Sequence, residues 1–194
     1  KKRVGEMVTR EDPDGRRTIF RKLPELETGR WIAVGRLDIN TSGLLLLTNN
    51  GELARRLTHP SFEMQRYYAV RVLGEINEEV LERLRSGVTL EDGPAKFNQI
   101  APGVNEDGKG ANQWYDVVLH QGRNRLVRRL FESQDLQVSR LIRTGYGPIQ
   151  LGGGIKSGTA REATPEELKA LLEAVGLEVE KPARKPRAAR PRRR

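Results

Sequence analysis

The sequence predicts an α+β fold, in which strands and helices are interspersed without regular alternation. Three observations predict it. Short apolar and β-branched runs recur between polar turns, helical periodicity is confined to separate stretches, and no strand–helix–strand unit repeats along the chain. At 194 residues there is room for one generous domain or for two small halves that share a core.

In chain order, the first 30 residues are charged and broken by Asp12-Pro13-Asp14-Gly15, a turn sequence. Residues 31–34 read as a short strand, 35–42 as a polar loop, and 43–48 as a buried strand containing four consecutive leucines. Asn49-Asn50-Gly51 turns the chain into a short helix over 52–57. Residues 67–73 are aromatic and β-branched enough to form a strand. A helix over 77–85 follows, with Asn77 as its cap and Val80, Leu81 and Leu84 as its apolar side. The Gly-, Asn- and Asp-rich stretch 101–112 reads as a mobile hairpin or loop, 114–120 as a strand, 124–133 as a helix, and 137–143 as another strand. Gly152-Gly153-Gly154 marks a loop. A last helix starts at Thr164-Pro165-Glu166-Glu167, a capping box with proline in the first turn, and runs through Val175.

Composition narrows the function classes. Hydrophobic residues make up 36% and charged residues 31%, and no apolar run reaches the ~20 residues that cross a bilayer. The chain has no cysteine and two histidines, His59 and His120, so it offers neither a disulfide framework nor a thiolate or histidine metal cluster. A cytoplasmic monomer without metal, cofactor or membrane partner is expected. The net charge of +9 is concentrated at the end: residues 181–194 hold eight Lys or Arg and no acid, and removing those eight leaves +1. Such a proline-broken basic run cannot build a core and is expected to be a disordered tail, with residues 1–180 as the folded domain. It attracts nucleic-acid phosphate or serves only as a solubilising terminus.

Three segments could carry chemistry. In Gly35-Arg36-Leu37-Asp38, the aspartate sits between two strands, where a rigid frame can deliver a nucleophile or base, and Arg36 lies two residues away on the same side. From spacing alone, a turn aspartate capping Thr41 or Ser42 carries more weight. The second segment is the 124–133 helix. Arg125, Arg128 and Arg129 share one face by spacing, and with Arg123, Arg140 and Arg143 they form a patch suited to phosphate. Ion pairs of a solvated face with Glu132 and Asp135 are the competing reading. The third is Tyr67-Tyr68, adjacent strand residues that point to opposite sides, so that one can stack on an unpaired base. His59-Pro60 reads as helix-end punctuation, and Trp114-Tyr115 as core.

The run GRLDINTSGLLLLTNNGELARRLTHPS, followed by NQWYDVVL, GRNRLVRRLF and VSRLIRTGYG, resembles the family of small- and large-subunit rRNA pseudouridine synthases. The resemblance covers roughly residues 5–155, and the later pieces point to members acting on large-subunit rRNA. It implies an elongated α+β domain with a mostly antiparallel sheet split across two halves and a cleft between them. By position, Asp38 matches the catalytic aspartate, Tyr68 the tyrosine stacking on uracil, and Arg128 the arginine paired with the aspartate. Arg36 matches the arginine holding the target nucleotide flipped out, and Val138 supplies the aliphatic floor of the pocket. The implied activity is conversion of uridine to pseudouridine in rRNA. The implied chain is a catalytic domain without the N-terminal domain resembling ribosomal protein S4, and with Lys2-Arg3 where the family has Lys-Pro. Two other classes stay open: a non-catalytic RNA-binding or ribosome-assembly factor on this fold, and a glycosidase-like enzyme. The latter needs a second carboxylate near Asp38, and Glu52 is the nearest in sequence.

Overall fold

Strand pairing organises the molecule around one long central strand with a long antiparallel partner on either side, seen in a computed structural model that describes residues 1–104 and 112–178. Most of the loop expected over 101–112 and all of the basic tail lie outside the described residues, as does the expected domain end at residue 180. The elements run β1 (Ile32–Ala33), β2 (Ser42–Gly43), β3 (Leu47–Thr48), α1 (Gly51–Thr58), β4 (Arg66–Leu73), α2 (Glu78–Ser86), β5 (Val88–Leu90), β6 (Gly93–Ala95), β7 (Gln99–Pro102), β8 (Asn112–Leu119), α3 (Leu126–Glu132), β9 (Gln137–Tyr146), β10 (Ile149–Gln150) and α4 (Pro165–Ala174). The fold is α+β. Its main sheet has the order β10-β9-β4-β8-β7, all antiparallel, and β2 joins β9 in parallel.

Local chemistry explains the helix ends. The side chains of Asn50 and Asn77 accept from the backbone N–H groups of Leu53 and Val80, capping α1 and α2. Thr164 and Glu167 form the expected capping box of α4, with Pro165 in the first turn. The helix expected over 124–133 begins two residues later. Arg125 is left-handed, at φ 49°, and so stands outside the helix.

The largest departure is the leucine-rich strand expected over 43–48, which is split. Ser42-Gly43 pairs with β9, whereas Leu47-Thr48 pairs with β1 in a separate small sheet. Gly43, at φ +106°, redirects the chain between the two partners, a conformation L side chains rarely adopt. The β5–β6 hairpin, β7 and β10 were not foreseen, and β9 runs three residues further than expected.

Two apolar clusters result. One packs α2 and α3 on the sheet through Val70, Val72, Leu84, Val117, Leu130 and Phe131, with the Phe131 ring 5.2 Å from Phe97. The other gathers Val34, Leu44, Leu57, Leu171, Leu172 and Val175 around α1 and α4. Full burial of side chains this size is worth about 1.5–3 kcal/mol each. Strand β9 serves both: Leu141 belongs to the first cluster and Tyr146 to the second. Tyr115 is core as expected. Trp114, its strand neighbour, points to the other face and is only half-buried.

A Cβ at Gly43 would stand 2.2 Å from the backbone oxygen of Arg143. Gly43→Ala is therefore expected to lower stability by about 2–4 kcal/mol, measured by urea unfolding. Gly152→Ala, where a Cβ meets nothing within 4 Å, should change it little.

Candidate active site

The loop between β1 and β2, which carries Asp38, is held by cations rather than by regular structure. Lys2, far away in sequence, pairs its backbone with Gly43 through bonds of 2.8 and 3.1 Å. Its ammonium then turns into the loop and donates to the carbonyls of Arg3 (2.9 Å), Asp38 (3.0 Å), Ile39 (3.5 Å) and Thr41 (2.8 Å). Arg128 Nη2 donates to the carbonyl of Asn40 at 3.0 Å and its Nη1 to that of Val138 at 3.1 Å. Arg143 Nε donates to the carbonyl of Leu44 at 2.8 Å. Lys2, Arg128 and Arg143 are respectively 3%, 9% and 2% exposed. Burial pushes the Lys2 ammonium down to about 8, against the opposing charges of Glu6 and Asp38. Burial likewise lowers Arg128, with Arg125 adding to the effect and Asp38 and Glu132 opposing it.

A cleft of about 830 Å³ opens beside this loop. One side is lined by Gly35, Arg36, Leu37, Asp38 and Thr41, together with His59, Glu63 and Met64. Across it lie His120 to Val127, and the sheet contributes Arg66, Tyr68, Leu141, Arg143 and Tyr146. Tyr68 and Arg143 are direct cross-strand partners on β4 and β9, so both point to the same face. Burial pushes the Arg143 guanidinium down, and its neighbours Tyr68 and Tyr146 oppose that lowering. The Tyr146 ring lies between two guanidinium groups, with Arg66 Cζ 5.2 Å and Arg143 Cζ 5.1 Å from its centroid. Its hydroxyl donates to the carbonyl of Leu57 at 2.7 Å.

The expected residues divide by place. Asp38, Arg36 and Tyr68 line the cleft, as do Arg123, Arg125 and Arg143. Arg128 lies behind the loop, and among the described residues it makes no ion pair to Asp38 within 4.0 Å: it holds the loop's backbone instead. The expected common face of Arg125, Arg128 and Arg129 does not form. Arg125 stands before the helix, Arg128 is buried, and Arg129 turns to Asp92. Arg143 is within the cleft wall rather than on an outer patch, and Arg140 is exposed, in register with Arg71 across β4. Val138 packs in the core, and Leu141 takes the place in the lining expected of it. A register shift at Arg71/Val72 separates the two. Glu52 is tied to Arg55 and Arg56 outside the cleft. His59 ends α1 as expected and also lines the cleft.

Polar atoms without partners concentrate here. Among the described residues, the buried side-chain atoms with no hydrogen bond are Thr18 Oγ1, Thr41 Oγ1, Arg128 Nε and Arg143 Nη2. The last three belong to the Asp38 loop or its two arginine supports. Buried groups of this kind are rare and cluster where ligands bind. Sequence reading gave no site role to Lys2, Arg66, Leu141 or Tyr146. The TGYG segment held the signal for Tyr146, and the match of Lys2-Arg3 to the family's Lys-Pro held the one for Lys2.

Comparison with known proteins agrees with this geometry. A family model described as RNA pseudouridylate synthase matches residues 1–133. Ribosomal large subunit pseudouridine synthase B of Pseudomonas aeruginosa is 60% identical over 175 residues, covering 89% of this chain and 44% of its own. The protein of the same name from Haemophilus influenzae is 57% identical over 176 residues, covering 91% and 48%. The chain thus spans about half the length of these curated relatives. A crystal structure of a pseudouridylate synthase superposes with a TM-score of 0.74 at 26% identity, covering 88% of this chain and 70% of that one.

The Lys2 cage has a pH signature. Between about 8 and 10.5 the unfolded chain keeps a proton that folded Lys2 has released, so this group adds stability as pH rises through that window and loses it as pH falls towards 8. Lys2→Met should remove that slope and cost about 2–4 kcal/mol at neutral pH. Urea unfolding of both proteins across the window checks both.

Proposed function

Because the chain belongs to the RNA pseudouridylate synthase family, we propose that it isomerises a uridine of large-subunit ribosomal RNA to pseudouridine, with Asp38 as nucleophile. The observation that carries this reading is the meeting of Asp38, Tyr68 and Arg143 in one cleft, from the loop, β4 and β9. The names of the relatives support ribosomal large-subunit RNA as the substrate.

In this reaction the C1′–N1 bond breaks, the detached uracil turns, and C1′ bonds to C5. The proton on C5 leaves and N1 takes one up, so the isomer has the composition of the substrate. The target base must first leave its stack, at a cost of a few kcal/mol. Arg36 and Arg125, exposed at the cleft mouth, are placed to hold the strand from which it has turned out. Inside, the Tyr68 ring offers a stacking face and Leu141 an apolar wall. Asp38 attacks carbon as the carboxylate, at C1′ or at C6. Two buried cations, Lys2 and Arg128, lie close enough to its loop to feel the charge of Asp38. Arg143 lines the cleft beside Tyr68, its partner on the neighbouring strand.

With an in vitro large-subunit rRNA transcript labelled with tritium at uridine C5, turnover releases tritium to water. Asp38→Asn should lower the release by roughly 1000-fold or more while leaving RNA binding within about threefold. Arg128→Lys should be severely impaired, because a point charge does not replace a fork that reaches two carbonyls. Wild-type release retained by Asp38→Asn contradicts the assignment, and RNA binding without any release favours an assembly factor on this fold.

A further inference from the structure

The far rim of the cleft is segment 121–125, which has neither helix nor strand of its own. It is anchored by side chains. Gly122 abuts Arg66, so that a Cβ there would stand 2.9 Å from Arg66 Nη2. On its other side both carboxylate oxygens of Asp92, at the turn of the β5–β6 hairpin, are shared between two arginines. Oδ2 accepts from Arg123 Nε at 3.0 Å and Arg129 Nη2 at 3.0 Å; Oδ1 accepts from Arg129 Nη1 at 2.7 Å and from Arg123 Nη2. Arg123 also donates to the carbonyl of Pro94 at 2.7 Å, and Arg129 Nε to that of Asn124 at 2.9 Å. Two arginines expected to meet RNA phosphate are thus occupied within the protein.

We propose that Asp92 is a positioning residue for RNA binding: by joining Arg123 and Arg129 on one carboxylate, it fixes the 121–125 rim that presents Arg125 to the RNA. The inference rests on the cleft being an RNA site, as proposed above. Without the carboxylate, two guanidiniums drawn to one point would repel each other, and the rim would be left with the Arg123 bonds to the Gly93 and Pro94 carbonyls as its tie to the hairpin. Arg128 would keep its place, because it is held separately by Asn40 and Val138. The effect should therefore fall on binding rather than on chemistry. A purely electrostatic account predicts the opposite sign, since deleting an acid beside a phosphate-binding cleft adds net positive charge and tightens binding.

The test compares the 194-residue chain with Asp92→Ala and Asp92→Glu at one fixed salt concentration. It measures the Kd for a large-subunit rRNA transcript, tritium-release kinetics and thermal midpoint. Asp92→Ala is expected to raise Kd and KM by about fivefold or more, with kcat within about twofold and the midpoint within about 3 °C, as suits a partly exposed ion cluster. Asp92→Glu, which keeps the carboxylate, should recover most of the loss. Unchanged or tighter binding overturns the proposal, as does a fall in kcat or thermal midpoint that accounts for the loss. If the wild-type chain releases no tritium, the isomerase reading fails, whereas the Kd comparison still decides the role of Asp92.

Discussion

Three buried cations in a cage of backbone carbonyls are the constraint on which this structure turns. Between residues 38 and 44, five carbonyls accept from them: Asp38, Ile39 and Thr41 from Lys2, Asn40 from Arg128, and Leu44 from Arg143. The loop has no long strand or helix to fix it, so these donors supply its geometry. They come from the bridge at Lys2, from α3 and from β9, and of these α3 and β9 already pack together in the first apolar cluster. Gly43 lies where they converge, with Lys2 on one side and Arg143 close on the other. Hence the leucine-rich segment cannot continue as one strand.

The arrangement is expensive and directional. Burying a cation without a neutralising partner costs several kcal/mol, and among the described residues none of the three forms an ion pair within 4.0 Å. Their hydrogen bonds recover part of that cost, and two of them, Lys2 and Arg128, also feel the charge of Asp38. The proposed isomerisation would bring a polar nucleotide up against these donors. At the rim of the cleft the pattern changes: Arg123 and Arg129 are neutralised by Asp92, and Arg125 pairs with Glu132 at 3.8 Å.

Much of this was legible in the sequence where periodicity or capping chemistry is local. The caps at Asn50, Asn77 and Thr164, the paired faces of Tyr67 and Tyr68, and the strand–loop setting of Asp38 all follow from neighbouring residues. The Asp92-Gly93 dipeptide also carried a hairpin signal, although the hairpin was not expected. Long-range choices were hidden. Whether Leu44 and Leu47 share one strand depends on which strand each meets, and the helical spacing of Arg125, Arg128 and Arg129 says nothing about where the helix begins. Nothing near Lys2 reveals a partner 36 residues away. The position of Leu141 rather than Val138 in the cleft likewise depends on a register shift that spacing cannot supply.

The central claim is that the cleft built on this caged loop converts a uridine in RNA. Mapping pseudouridine across an unmodified large-subunit rRNA transcript, before and after incubation with the wild-type chain, tests it most directly. New pseudouridine is expected at a discrete position, increasing with protein and time. A transcript that is bound by the chain yet gains no pseudouridine at any uridine would contradict it.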